Sequence, residues 1–194
     1  NDRTHAETVR ERVGRGHRDR VVTVEADLRA TPLPDDSVDL VAAHALFNVV
    51  PTAAFPEIVT ELTRVAKPGA HLVVDDYDPL PEDAAIRDLF AVENAATELA
   101  RGVSALTFYP AATVRRCVAG AGWSFDRERT LLDPVPWTGN HVAAHADAAR
   151  KSTGSLTPDL AGPLTSEIDR LATDIGSESA GRMYSLAFRR ERTD

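Results

Sequence analysis

The stretch from Val21 to Tyr77 constrains the fold more than any other part of the chain, because short apolar runs alternate there with one amphipathic segment. Val21-Val22-Thr23-Val24 reads as a buried strand closed by Asp27, and Leu33-Pro34-Asp35-Asp36-Ser37 turns the chain into a second apolar run, Val38 to Ala43. From Phe55 onward the apolar positions Phe55, Ile58, Val59, Leu62, Val65 and Ala66 recur every three or four residues, the spacing of a helix lying on a sheet. Pro68-Gly69 stops that helix, and His71-Leu72-Val73-Val74 supplies the next strand. Strands that are apolar at nearly every position are buried on both faces. Strand, helix and strand in succession therefore imply a parallel sheet covered by helices.

The flanking segments extend this α/β pattern. Thr4 to Gly14 carries helix formers and ends at Gly14-Arg15-Gly16, a helix stop that precedes a strand and so has the wrong context for a phosphate-type glycine loop. Pro81 to Arg101 reads as a long amphipathic helix with Ile86, Leu89, Phe90 and Leu99 facing inward, and Ala111 to Ala119 as a shorter one stopped by Gly120-Ala121-Gly122. Trp123 to Leu132 and Arg182 to Arg190 read as two strands. In the second, Tyr184, Leu186 and Phe188 alternate with Met183, Ser185 and Ala187 at a period of two. The connection between them, Asp133 to Gly181, is too long for a hairpin and holds two helices, about Asn140 to Lys151 and Pro158 to Ile175. The expected organisation is a core over 1–132, a helical lid or acceptor-binding insertion over 133–181, hinged near Ser152-Thr153-Gly154-Ser155, and a last core strand and tail over 182–194.

Composition narrows the function. The chain has 194 residues, 43% hydrophobic and 27% charged, enough to bury one sizeable core. Cys117 is the only cysteine, so neither an internal disulfide nor a cysteine-based zinc site can form. The formal net charge of -8, with scattered basic residues, argues against a nucleic-acid substrate and favours a small-molecule acceptor. No apolar run approaches the length of a membrane span and no signal-peptide pattern opens the chain, so the expected setting is cytoplasmic, without a membrane partner.

Three motifs carry a family resemblance. Ala26-Asp27, then Pro32-Leu33-Pro34-Asp35-Asp36-Ser37-Val38-Asp39-Leu40-Val41, then Arg64-Val65-Ala66-Lys67-Pro68-Gly69 resemble, in order and spacing, motifs of class I S-adenosylmethionine-dependent methyltransferases, the type 11 small-molecule branch. The resemblance is close over residues 5 to 77 and fainter beyond. It implies a Rossmann-like methyltransferase sheet of order 3-2-1-4-5-7-6 in which the visible strands are the third through seventh. It also implies a glycine-rich loop after the first strand and an acidic residue ending the second, both of which hold the cofactor. The sequence carries neither, so the chain is expected to be such a core with its N-terminal strands missing. At about 4.8 Å per strand spacing, the third strand would then stand on the order of 14 Å from the fourth. A preceding segment, a partner chain or second copy completing the sheet, or direct pairing of third and fourth strands would close that gap.

The resemblance assigns residues by position. It makes Asp27 the acceptor of a hydrogen bond from the cofactor's adenine amino group, with the Leu28 backbone beside it. Ala43 and His44 lie at the end of the fourth strand, under the sulfonium, where His44 either serves as general base or shapes the pocket wall. Asn48 and Val49 stand where many relatives carry a histidine pair. Asp75, Asp76 and Tyr77 end the fifth strand. Adjacent carboxylates on a strand point to opposite faces, so Asp76 or Tyr77 is the catalytic candidate rather than an acid-base pair. Tyr109 and Trp137 are candidate walls of an acceptor pocket if the lid closes over it. His141 and His145 share a helix face, but no third metal ligand is apparent nearby. Methyl transfer to an oxygen, nitrogen or carbon of a small molecule is the leading expectation, with S-adenosyl-L-methionine as cofactor. The alternative is a non-catalytic methyltransferase-like binding or regulatory module. A nicotinamide-dependent oxidoreductase ranks third, since no Tyr-Lys catalytic pair is seen.

Overall fold

The computed structural model describes residues 20–191. Its sheet has four strands: β1 (Val38–His44), β2 (Ala66–Tyr77), β3 (Trp123–Leu132) and β6 (Met183–Arg190), in the spatial order β1-β2-β6-β3. β1 and β2 run parallel, with α1 (Phe55–Val65) as their crossover. β6 lies antiparallel to both β2 and β3. This is the order expected for the fourth, fifth, seventh and sixth strands of the methyltransferase sheet. The helix Thr4 to Gly14 and the Gly14-Arg15-Gly16 stop lie outside the described residues.

Every apolar position read as the inward face of the first helix is buried: Phe55, Ile58, Val59, Leu62, Val65 and Ala66. All but Val65 meet Leu72 and Val74 of β2 and Tyr184, Leu186 and Phe188 of β6 in one core, to which α3 (Ala111–Ala119) adds Ala111, Val114 and Val118. Trp123 closes this core and donates its indole N–H to Thr63 Oγ1 at 2.8 Å. A second core joins α2 (Ala85–Arg101) to α4 (Gly139–Thr153) and α5 (Pro158–Ile175) through Ile86, Leu89, Phe90, Val142, Ala146 and Ile168. A short ribbon, β4 (Pro136–Trp137) with β5 (Glu178–Ser179), ties its ends together.

Two expectations are corrected. Val21 to Val24 is not a strand, and Val22 is 85% exposed. A strand exists only as part of a ladder, and among the described residues none pairs with this segment, so its apolar composition alone does not form one. Direct pairing of this segment with β1 is therefore not seen. Leu99 is exposed rather than inward, because the buried stripe of α2 runs Ile86, Leu89, Phe90, Glu93, Ala96 and Thr97, and Leu99 falls off it. The expected hinge is packed in its first half only: Ser152 and Thr153 are buried at the end of α4, while Gly154 and Ser155 are exposed.

Candidate functional site

The parallel register sets up the first functional pair. β1 and β2 align so that His44 lies opposite Asp75, and the His44 ring meets the Asp75 carboxylate with Nδ1 to Oδ2 at 3.3 Å. The His44 side chain is 67% exposed, at the carboxyl end of the parallel strands where open α/β sheets place their ligands. Ala43, its neighbour, points the other way and is buried in the core, so it supports the strand end rather than lining a cavity.

Strand alternation sends the next carboxylate inward. Asp76 is 1% exposed and follows Leu72 and Val74 on the core face. Its Oδ2 accepts the backbone N–H groups of Phe47 at 3.0 Å and Asn48 at 3.2 Å, and its Oδ1 accepts that of Tyr77 at 2.9 Å. Burial pushes its carboxyl above the usual range, against the opposing pull of these three N–H groups. Asp76 thus fastens the turn after β1 and does not face the site as a base. Tyr77 is packed among Trp137 (ring centroids 5.4 Å apart) and Phe108 (6.3 Å). Burial, with the Asp76 charge, raises its hydroxyl pKa.

A cavity of about 550 Å³ lies between two turns of the chain. One wall is the turn at Asp27, where the Ala30 N–H donates to the Asp27 carbonyl at 3.1 Å. The other is Val50, Pro51, Ala54 and Ile58, where β1 leads into α1. Asp27 and Leu28, both singled out from the sequence, line it. The Arg29 guanidinium grips both oxygens of the Asp27 carboxylate, at 3.0 and 2.7 Å, and holds its pKa down to about 2. The Arg29 backbone N–H also donates to Oδ1, at 2.9 Å; with about four lone-pair sites on a carboxylate, Oδ2 is the oxygen that can accept a further donor while the pair stands.

Sequence reading missed the buried Glu61. It receives the Thr31 backbone N–H at 2.7 Å and hydroxyl at 2.6 Å together with the Arg64 guanidinium, while Arg64 also bonds Asp35 and the Leu33 carbonyl. This network clamps the Thr31-to-Ser37 loop onto the end of α1, and its signal was Glu61 falling between Ile58 and Leu62 on the helix's inward side. Arg64 first, then Thr31, depresses the Glu61 carboxyl from 4.5 to about 2. A depressed carboxyl stabilises the fold above its unfolded pKa, and that contribution disappears as pH falls from about 4.5 towards about 2. In Glu61→Gln the acid side of the thermal midpoint against pH is expected to flatten across this window, and an unchanged acid limb would remove the clamp from the account.

Tyr109 and Trp137, expected as walls of one acceptor pocket, pack in two different cores. Tyr109 packs on Phe55 of the first core at 5.2 Å and donates to Thr52 Oγ1 at 3.0 Å. Trp137 sits in the second core and donates to the Ala180 carbonyl at 3.0 Å. His141 and His145 are separated in role: His141 Nδ1 accepts the Thr138 N–H at 3.1 Å at the start of α4, and His145 pairs with Glu93 at 2.8 Å.

The residues present suit an adenosine group: an apolar wall at Val50, Ala54 and Ile58 for a flat ring, and a carboxylate at Asp27 for an amino donor. The strand order β1-β2-β6-β3 is that of a Rossmann-like methyltransferase fold. Residues 2–74 match the family model for a methyltransferase domain, in keeping with the type 11 resemblance. Among solved structures, the chain resembles loganic acid methyltransferase with S-adenosylhomocysteine at 11% identity and a TM-score of 0.61, over 89% of this chain and 67% of that one. It resembles YcgJ from Bacillus subtilis at 12% identity and a TM-score of 0.56, over 99% and 80%. It also resembles the [4+2]-cyclase SpnF at 17% identity and a TM-score of 0.55, over 97% of this chain and 61% of that one. The chain thus spans between 61% and 80% of the length of these structures. No curated protein matches it. No helix among the described residues is long and apolar enough to cross a membrane.

Proposed function

We propose that this chain carries out S-adenosylmethionine-dependent methyl transfer to an oxygen, nitrogen or carbon of a small molecule. The observation that carries the reading is the cavity at Asp27 and Leu28, which opens beside the turn that follows His44. Asp27 accepts the adenine amino group, the Leu28 backbone lies against the ring edge, and Val50, Ala54 and Ile58 cover its faces. The bound cofactor supplies a methyl group activated on a sulfonium, so the chain's own work is alignment, exclusion of water and handling of the acceptor's proton. His44 takes that proton on Nε2 while Asp75 holds Nδ1. Asp76 keeps the turn after β1 in place.

Calorimetry with S-adenosylhomocysteine tests the cofactor site. Asp27→Ala is expected to weaken binding about tenfold or more, the size of a hydrogen bond to a charged group. Equal affinities in both forms would sink the assignment.

The second reading, a non-catalytic methyltransferase-like module, draws on one observation: Arg29 already occupies both oxygens of Asp27. On that reading Arg29→Ala leaves S-adenosylhomocysteine binding absent. On the first it leaves Asp27 free to bind.

A further inference from the structure

A second cavity, of about 420 Å³, lies between α2 and α4. Its lining mixes apolar residues (Val49, Pro51, Val103, Ala105, Ala148) with charged and hydroxyl side chains at the seam of the two helices. Along α2, Glu93, Thr97 and Arg101 stand at intervals of four residues, so they share one helix face. Across from them, α4 presents His145, Ser152 and Lys151. Glu93 meets His145 at 2.8 Å and Thr97 Oγ1 meets Ser152 Oγ at 3.1 Å, which closes the inner end of the seam.

The outer end is different. Arg101 and Lys151 both line the cavity, and among the described residues neither has an ion-pair or hydrogen-bond partner. In a chain with 30 acidic against 22 basic residues, two adjacent cations left unpaired at one cavity mark a place for an anion from outside. At the inner end Glu93 is 5% exposed, its Oε2 is taken by His145, and no hydrogen bond from another described residue reaches its Oε1. A buried carboxylate with a free oxygen in a cavity wall wants a donor. Glu93 and Arg101 are eight residues apart, about 12 Å at a rise of about 1.5 Å per residue. Both line the same cavity, so a short ligand with a different group at each end can reach the two.

We infer that this cavity binds a short carboxylate carrying a hydroxyl or amine at its far end, the carboxylate on Arg101 and Lys151 and the donor on Glu93. Pro51 lines both this cavity and the Asp27 cavity, with Val50 on one side and Val49 on the other, so the two sites share a wall.

The test is calorimetric titration of the full chain with γ-hydroxybutyrate and ε-aminocaproate, with butyrate, butylamine and inorganic phosphate as comparison probes. At least one of the first two is expected to bind about tenfold or more tightly than butyrate or butylamine. Arg101→Ala with Lys151→Ala should weaken it by a similar factor with the thermal midpoint unchanged, because both side chains are exposed and unpaired. Glu93→Gln keeps the shape and should remove the preference over butyrate. The inference is overturned if neither probe binds, if the double variant binds as the parent does, or if phosphate and butyrate bind as well as the two-ended probes. Titration with S-adenosylhomocysteine separates the two claims. Cofactor binding without probe binding overturns only the second site, and probe binding without cofactor binding overturns only the methyltransferase reading.

Discussion

Asp76→Ala will lower the stability of the chain by about 3 kcal/mol, measured by denaturant unfolding. The Asp76 carboxylate receives the N–H groups of Phe47 and Asn48, and removing it leaves both donors in a buried turn, each at a cost of about 1–3 kcal/mol. Refilling by water is hindered, since Phe47 is fully buried and its ring lies 4.4 Å from that of Phe55. Asp76→Asn keeps one acceptor oxygen and should lose roughly half as much. A functional consequence follows from the same turn. Val50 and Pro51 are carried by it and wall the Asp27 cavity, so S-adenosylhomocysteine should bind more weakly to Asp76→Ala even where the protein remains folded. A stability within about 0.5 kcal/mol of the parent would show that the turn does not depend on this carboxylate.

The signal for Asp76 was present in the sequence. Leu72 and Val74 are apolar at a spacing of two, and Asp76 continues that series, so the alternation already places it on the core side and Asp75 on the other. The resemblance, which puts this strand end at the substrate, made Asp76 a catalytic candidate; carrying the alternation back to Leu72 and Val74 makes it a fastener. The first helix was legible because its burial depends on local spacing alone. Val21 to Val24 was not, because a strand needs a neighbour and strand-forming composition cannot supply one. Tyr109 and Trp137 were equally ambiguous, since a large aromatic side chain near a loop fits a pocket wall or a core, and only long-range packing assigned them to two different cores. The Glu93 seam was half legible. Glu93 falls three to four residues after Leu89 and Phe90, which marks a charge on an inward face, but its partner His145 lies 52 positions away.

His44→Ala is expected to lower turnover about a hundredfold or more while leaving S-adenosylhomocysteine affinity unchanged, the range typical for loss of a general base. The geometry behind this is specific to the β1 and β2 register. His44 lies opposite Asp75, and the 3.3 Å contact from Nδ1 to Oδ2 fixes the ring so that Nε2 is the nitrogen left for the acceptor. Asp75 is a positioning residue, and Asp75→Asn should lower kcat by a smaller factor with KM for the acceptor unchanged, since the ring is held less firmly but the acceptor's own contacts remain. The Ala45 N–H donates to the Asp75 backbone carbonyl at 2.7 Å, a bond that neither substitution removes, so the strand end keeps its path in both variants. If His44→Ala turns over at the parent rate, His44 is pocket wall, and alignment and desolvation alone carry the reaction. Should kcat and cofactor affinity fall together, His44 instead supports the bound cofactor, and the proton must leave to water.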